Sequence, residues 1–460
     1  MNKTQKNKNK PCVGDHLTVT ITDMTRRGEG VGHFMGQALF VDGAVVGETV
    51  EAELTAVKSQ YLKGKLSHII ETSANRKAPD CPAFPECGGC QWLHLTSACE
   101  NALKRATVVN DLKHIGGLDD AEEKVRPIIG MDPPCHYRNK AQLKVSEAGI
   151  GFYRKGSHQV VPICDCMNQE VPLAPIIAVC QKWMADLKLK PYDEIKRRGD
   201  VRGFLLRTNR QGDVMVVPVV SHDLSSEQKR QTVQIFEGLP QLKSLMLNIH
   251  TKPNNRVLGT KTELLAGEAF IEEGLCGYTF NISPQSFFQV NTIQAEKLYE
   301  KAKGYAALTG AETLWDLYCG TGTIGICMAK DAGRVLGVEI VPEAVEDARK
   351  NAKRNHIQNI SFICGKAEDV MPEQIRQGSR ADVAVVDPPR KGCARTLLDS
   401  LIACRIPKIV YVSCDPATLA RDVGILKKAG YELIEATPVN MFPGTGHVET
   451  VALMSRVDGK

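Results

Sequence analysis

Two rhythms of apolar and polar positions divide the chain near residue 310. Residues 15–71 alternate in short runs, His16–Ile21, Ala38–Val41, Thr49–Val57 and Tyr61–Ile69, separated by Gly28, Gly30, Gly32 and the Asp42-Gly43 turn. Such alternation places one set of side chains inward on a strand, and several short strands without helical spacing predict a small five-stranded barrel of the OB type. Residues 76–92 read as a loop, and a helix is expected over Ser97–His114, with Leu103, Ala106 and Val109 at helical spacing. Residues 135–290 mix β runs such as Val214–Val220 and Ser244–Ile249 with basic stretches. From Glu312 onward, buried-strand runs (Glu312–Leu317, Val335–Ile340, Ile360–Cys364, Val383–Val386, Ile409–Ser413) are separated by helical segments such as Pro342–Asn355 and Ala417–Ala429. That is the pattern of a doubly wound α/β sheet. Tyr431–Pro438 and Val448–Met454 follow with no helix between them, so the last strand is expected to run antiparallel.

The length of 460 residues suggests about three domains. The expected organisation is a lysine-rich tail and OB-like barrel over 1–74, an α+β central domain over 75–290 and an α/β domain over 291–460. Apolar residues at 43% and charged residues at 24% exclude wholesale disorder. No apolar run approaches the ~18 residues of a membrane helix, and MNKTQKNKNK has no hydrophobic segment for secretion. A cytoplasmic protein with no membrane partner is expected. Disulfides rarely persist in that compartment, so the sixteen cysteines should be buried thiols, metal ligands or nucleophiles.

Charge adds a further asymmetry. Residues 311–460 hold 19 basic and 19 acidic side chains, whereas residues 1–310 hold 39 and 34. A basic front half suits a polyanion. Arg26, Arg27, Lys58, Lys63 and Lys65 on the barrel are candidate phosphate contacts. Lys188–Arg210, with eight basic and three acidic side chains, is a solvated surface by default and an RNA-facing one beside such a barrel.

Chemistry concentrates in the α/β part. Asp316-Leu-Tyr-Cys-Gly-Thr-Gly joins the first strand to its helix, and Gly320-x-Gly322-x-x-Gly325 permits close backbone approach to a ligand. Tyr318 stands just before the glycines. Glu339 ends the second strand, where its carboxylate can accept hydrogen bonds from a ribose. The pairing is that of an S-adenosylmethionine site, with NAD as the rival. Asp387-Pro-Pro-Arg390-Lys-Gly ends the fourth strand and faces the same crevice. The two prolines cannot donate hydrogen bonds, which leaves carbonyls and the Asp387 carboxylate as acceptors. Arginine rather than an aromatic after the second proline argues against an exocyclic-amine target.

The next strand ends at Ser413-Cys414-Asp415-Pro416. Asp415 suits an N-cap and Pro416 a first helical residue, so the helix end beside Cys414 is expected to favour its thiolate. Carbon 5 of a pyrimidine is too poor a nucleophile to attack a sulfonium methyl. A thiolate adding at carbon 6 makes the ring an enolate whose carbon 5 can attack. A base must then remove the carbon-5 proton, and Glu449 at the start of the final strand suits that role, ahead of His447. Cys393, just after Lys391-Gly392, is the rival nucleophile.

Taken together, Asp316-Leu-Tyr-Cys-Gly-Thr-Gly, Asp387-Pro-Pro-Arg, Val412-Ser-Cys-Asp-Pro, Gly446-His-Val-Glu-Thr and Ser283-Pro-Gln-Ser-Phe-Phe-Gln-Val-Asn291 resemble the RNA uracil-5-methyltransferase family over nearly the whole chain. The front part resembles its ribosomal-RNA branch, which carries an N-terminal TRAM barrel and an iron–sulfur cluster. The resemblance implies that Gln289, Tyr318, Glu339 and Asp387 contact S-adenosylmethionine, with Cys414 as nucleophile and Glu449 as base.

Cys81-x5-Cys87-x2-Cys90, with Gly88 and Gly89 inside, has ligand-like spacing and needs a fourth partner, Cys164 or Cys166. Spacing alone leaves zinc and iron open. The resemblance favours a 4Fe–4S cluster and aligns Cys166 as the fourth ligand. Cys99, Cys135, Cys180 and Cys276 read as packing residues. The expected activity is methylation of carbon 5 of a uridine in structured RNA, namely 23S ribosomal RNA, by a monomer. An RNA cytosine-5 methyltransferase and a non-catalytic RNA-binding iron–sulfur protein are the alternatives.

Overall fold

The computed structural model describes residues 10–254 and 256–457. The lysine-rich stretch 1–9 lies outside them. Two compact units are formed: residues up to Lys104 together with Phe442–His447, and the rest of the chain.

The first unit holds β1 (His16–Thr20), β2 (Asp23–Met24), β3 (Glu29–Phe34), β4 (Gln37–Asp42), β5 (Thr49–Val57) and β6 (Tyr61–Glu71). They pair in the order β1-β5-β6-β4-β3-β2 around a core of Val19, Leu39, Val41, Val50, Leu54 and Leu62. The four expected strands are present, but Gly30 and Gly32 lie inside β3 rather than between strands. The physical reason is close approach. A Cβ on Gly32 would come within 2.4 Å of Val19 Cγ2 and 2.7 Å of the Thr20 carbonyl. The Thr22 N–H donates to the Val31 carbonyl at 2.8 Å, so the sheet curls back on its own first strand. Lys63 and Lys65 are paired with Glu29 (3.2 Å) and Glu53 (2.9 Å), which leaves these two candidate phosphate contacts engaged by carboxylates.

Behind the barrel, the loop over residues 76–96 buries Trp92 and Leu95 against Met24 and Val45. The Gln91 and Trp92 amides donate to the Gly444 carbonyl (3.0 and 2.9 Å). Helix α1 (Ser97–His114) has the expected bounds. In its first turns Lys104 is fully buried, paired with Glu100 at 2.7 Å and donating to the Phe442 carbonyl at 3.0 Å. Burial pulls its ammonium below the usual lysine range, and the Glu100 carboxylate opposes that shift.

The second unit starts at Arg105 within α1, continues with the short α2 (Ala121–Lys124) and contains two seven-stranded sheets. The first is built from β7 (Lys140–Ser146), β8 (Gly149–Tyr153), β9 (Val160–Pro162), β10 (Val201–Thr208), β11 (Val214–Val220), β12 (Leu242–Ile249) and β13 (Lys261–Gly267). Its order is β13-β12-β11-β10-β7-β8-β9, with only β11 and β12 parallel. Helices α3 (Ala174–Asp186) and α4 (Ser226–Phe236) join its core through Trp183 and Phe236, which meet edge-on. A hairpin of β14 (Ile271–Leu275) and β15 (Tyr278–Ile282) leads into α5 (Thr292–Ala306).

The second sheet contains β16 (Thr313–Leu317), β17 (Arg334–Glu339), β18 (Ile360–Cys364), β19 (Val383–Val386), β20 (Lys408–Ser413), β21 (Tyr431–Val439) and β22 (Glu449–Arg456), in the order β18-β17-β16-β19-β20-β22-β21. Helices α6 (Thr323–Met328), α7 (Pro342–Arg354), α8 (Ala367–Arg376), α9 (Arg395–Ala403) and α10 (Pro416–Lys428) connect the parallel strands. The last strand enters between β20 and β21, antiparallel to both, as its missing crossover helix required. Strands buried on both faces explain the near-continuous apolar runs. Among the described residues no helix is long and apolar enough to cross a membrane.

Gly32→Ala should lower the stability of the barrel by about 1–3 kcal/mol, because β1 must move to admit the methyl. Thermal unfolding of the full chain checks this, and an unchanged first transition would show that the close approach is not required.

Candidate active site

Strand order reverses at β16, whose neighbours are β17 and β19. Ligand crevices in such sheets open at this point, beyond the strands' carboxyl ends. Gly320 (φ +54°) and Gly322 (φ +79°) carry the chain from β16 into α6. A Cβ on Gly320 would meet nothing within 4 Å, so the loop leaves open space for a ligand. Gly325 fixes the loop from below. Its N–H donates to Asp316 Oδ2 at 2.8 Å, where a Cβ would already be 2.9 Å from that oxygen. The other oxygen of Asp316 is buried with no hydrogen-bond partner among the described residues. Burial, against the Gly325 amide, pushes this carboxyl up to about 7.

Glu339 closes β17 with its carboxylate facing the same loop. It accepts from the Gly320 N–H (3.1 Å) and the Val341 N–H (2.9 Å). Tyr318 adopts φ +64°, uncommon for a residue with a side chain, and its hydroxyl accepts from the Ala394 N–H at 3.4 Å. Gln289 lies on the loop before α5 and is buried. Its carbonyl accepts from Asn139 Nδ2 at 2.9 Å, and Ser286 on the same loop donates to Asp347 of α7 at 3.2 Å. Asn291 caps α5 through the Gln294 N–H. Tyr318, Glu339 and Asp387 thus stand at the carboxyl ends of β16, β17 and β19, and Gln289 lies on the loop before α5.

Cys414 follows β20, half-buried at the start of α10. Its surroundings correct one expectation. The Asp415 side chain accepts from the Ala417 and Thr418 amides (2.9 and 3.3 Å), so the cap occupies donors of the helix end. Burial first, then the charges of Glu449 and Asp387, push the Cys414 thiol up to about 12. Burial and these charges outweigh the helix end and favour the protonated thiol over the expected thiolate. Glu449 is buried, 4% exposed, and burial with the neighbouring Asp387 pushes it up to about 8. Asp387 is itself raised to about 7 by burial and by Asp316. Arg390 works the other way, lowering both Cys414 and Glu449.

Arg390 is therefore a site residue whose role its side-chain type alone did not reveal. Its loop is clamped to α10, where Thr418 Oγ1 donates to the Arg390 carbonyl (3.3 Å) and Arg421 donates to the Lys391 carbonyl (3.0 Å). Asp316 was likewise identifiable as a charge inside an apolar strand. Cys393 sits elsewhere in this arrangement. It is 4% exposed in the core, its N–H donates to Asp422 at 2.9 Å, and burial pushes its thiol up to about 12.

The cysteine loop has mixed features. Cys81, Cys87 and Cys90 are half-buried, and the Gly89 N–H donates to Cys87 Sγ at 3.4 Å. Cys164 is exposed and Cys166 half-buried on the second unit. Among the described residues, no group of three or more His, Cys, Asp or Glu side chains is arranged to hold a metal ion. Cys99 and Cys180 are buried in apolar cores, whereas Cys135 and Cys276 are half-buried.

A glycine loop after the first strand, a glutamate closing the second strand against that loop and an antiparallel last strand are features of a methyltransferase sheet. Comparison with known proteins makes this specific. Residues 128–457 match the model of the tRNA (uracil-5-)-methyltransferase family, and residues 10–67 match the TRAM domain. An uncharacterized RNA methyltransferase of Clostridium acetobutylicum is 43% identical over 96% of this chain and 97% of its own. One from Halalkalibacterium halodurans is 41% identical over 99% of both chains. The crystal structure of Pyrococcus abyssi tRNA (uracil-54, C5)-methyltransferase with S-adenosyl-L-homocysteine is similar at a TM-score of 0.77. The two are 26% identical, and the match covers 95% of this chain and 99% of that one. The chain belongs to the RNA uracil-5-methyltransferase family, with a TRAM domain at its front.

Because its pKa is raised, Cys414 of the free protein should react with iodoacetamide at pH 8 at least tenfold more slowly than free cysteine. Asp387→Asn removes one negative charge and should accelerate the reaction. Peptide-resolved mass spectrometry reads both rates, and a fast wild-type reaction would refute the crowded-carboxylate account.

Proposed function

We propose that this enzyme methylates carbon 5 of a uridine in structured RNA, with 23S ribosomal RNA as its target and S-adenosylmethionine as its methyl donor. The observation that carries this reading is the mutual electrostatic influence of Cys414, Glu449 and Asp387 beside the open glycine loop. A nucleophile, a base and a cofactor loop on one sheet edge support covalent activation of a pyrimidine. Family membership supports uracil over cytosine.

The methyl donor supplies an electrophilic sulfonium methyl. Gln289, Tyr318, Glu339 and Asp387 hold and orient it, with the Glu339 carboxylate toward the ribose hydroxyls. The Cys414 thiol releases its proton to water, and the thiolate adds to carbon 6 of the uracil. The electron pair of the 5,6 double bond moves into the enolate; carbon 5 would then bond the methyl as its bond to the sulfonium sulfur breaks and the donor leaves as a neutral thioether. Glu449 removes the carbon-5 proton, the double bond re-forms, and the thiolate leaves carbon 6. A carboxyl held near pH 8 is a stronger base than an exposed one once it is ionised, which suits that step. Arg390 favours the charged forms of both Cys414 and Glu449.

Thiol donors in a glycine-rich loop, with an amide N–H directed at the Cys87 sulfur, fit a thiolate-ligated group. In this reading Cys81, Cys87, Cys90 and Cys166 would hold a 4Fe–4S cluster, for which zinc is the alternative. The group would have a structural or RNA-positioning role, since the chemistry above needs no electron transfer. The barrel over 1–74 and the central domain over 75–290 would position RNA for the catalytic domain over 291–460. The enzyme would act as a monomer in the cytoplasm, where its RNA resides.

Cys414→Ala should abolish both methyl transfer and the covalent RNA adduct, whereas Cys393→Ala should retain them. Glu449→Gln should accumulate adduct, because the carbon-5 proton stays in place. Denaturing gels with labelled 23S ribosomal RNA test all three, and adduct formation by Cys414→Ala would transfer the role to another thiol. The absorption spectrum of anaerobically purified protein tests the metal. A broad band near the visible, with about four irons per chain, is expected, and a colourless preparation with one zinc would reassign the site.

A further inference from the structure

Strands β7 and β10 contain a pairing that folding alone does not favour. Lys140 and Arg207 are register partners on these antiparallel strands, so two like charges stand directly opposite each other. Such a pair is destabilising. It is also withdrawn from water, since Arg207 is 1% exposed and Lys140 is half-buried. Arg138, two residues before Lys140, adds a third positive charge, and its field and that of Arg207 act on Lys140. Together with burial they pull the Lys140 ammonium down to about 8.

Among the described residues no carboxylate is ion-paired with this cluster; the carboxyl of nearby Glu170 accepts from Thr208 instead. Among the described residues, neither Lys140 nor the Arg138 guanidinium has a side-chain hydrogen-bond or ion-pair partner. Arg207 directs one amino group to the Pro284 and Ser286 carbonyls, while its buried Nε has no partner at all. The position of the cluster is informative. Pro284 and Ser286 belong to the loop that bears Gln289. Asn139, between Arg138 and Lys140, donates from its backbone to the Val290 carbonyl (2.9 Å) and from its side chain to the Gln289 carbonyl (2.9 Å). Three cations therefore converge beside the loop that lines the catalytic crevice. The cost of placing them there implies an anion that arrives with a ligand.

We propose that Lys140 and Arg138 form a phosphodiester site for the RNA strand entering the crevice, with Arg207 bracing the 283–291 loop and adding its charge. This rests on the RNA-methylating reading above. Phosphate contacts fix register without reading sequence, and a strand whose uridine must leave its stack needs its backbone held close to the flipped base. The other anion that reaches this crevice is the carboxylate of the methyl donor, so the test must separate the two.

The experiment measures equilibrium binding of full-length protein to transcribed 23S ribosomal RNA across a salt series, without methyl donor, for wild type, Lys140→Gln and Arg138→Gln. Donor affinity is measured separately by calorimetry. Each variant should bind RNA on the order of tenfold more weakly at low salt and lose about 0.7–0.9 from the slope of log affinity against log salt. Donor affinity should not change. Relief of the like-charge pair should leave the melting temperature of Lys140→Gln equal or higher, which separates lost contact from lost fold. Unchanged RNA affinity and slope would overturn the proposal, as would a loss confined to the donor. The Cys414→Ala variant should bind RNA like wild type whatever its activity, so failure of the methylation reading would be seen apart from failure of the phosphate site.

Discussion

Three carboxyl groups share the carboxyl ends of the second sheet, and burial raises every one of them. Asp316 and Asp387 are pushed up to about 7 and Glu449 to about 8. Asp316 further raises Asp387, and Asp387 raises Glu449. Burial, then Glu449 and Asp387, push the Cys414 thiol up to about 12. Arg390 opposes this by lowering both the thiol and the base. Carboxyl groups crowded in this way disfavour further negative charge and favour a cationic ligand. A sulfonium brings that charge, so donor binding and thiol ionisation should be coupled through the same field.

The scaffold serves this crowding by fixing backbones rather than by adding partners. Gly325 lets an amide reach Asp316, and Gly392 (φ +78°) passes so near Arg421 and Asp422 that a Cβ would stand 2.5 Å from a guanidinium nitrogen. The Arg390 loop and the Cys414 strand end are both tied to α10, so their spacing is set by one helix. Tyr411 and Asp422, bonded at 2.7 Å, hold the Cys393 amide within that same core. Cys393 is in this way part of the support for the loop.

Much of this was legible from residue order. The strands Ile360–Cys364 and Val383–Val386, the helix Ser97–His114 and the antiparallel last strand follow from apolar runs and missing connections. The β3 strand was hidden because its glycines read as breaks, while their purpose is close packing against β1. The thiol's ionisation was misjudged for a similar reason. A helix start favours an anion only if its amides are free, and sequence cannot say that the Asp415 cap occupies two of them or that Glu449 and Asp387 converge from other strands. The like-charged Lys140 and Arg207 are separated by more than sixty residues, and only strand register brings them together.

The most direct measurement of the covalent account uses RNA carrying 5-fluorouridine at the target. After methyl transfer, a base cannot remove fluorine from carbon 5 as it removes a proton, so the thiol adduct persists. Digestion and mass spectrometry of the trapped complex should place the methylated nucleotide on the peptide containing Cys414. Attachment at Cys393, or quantitative methylation with no protein–RNA linkage, would contradict the account.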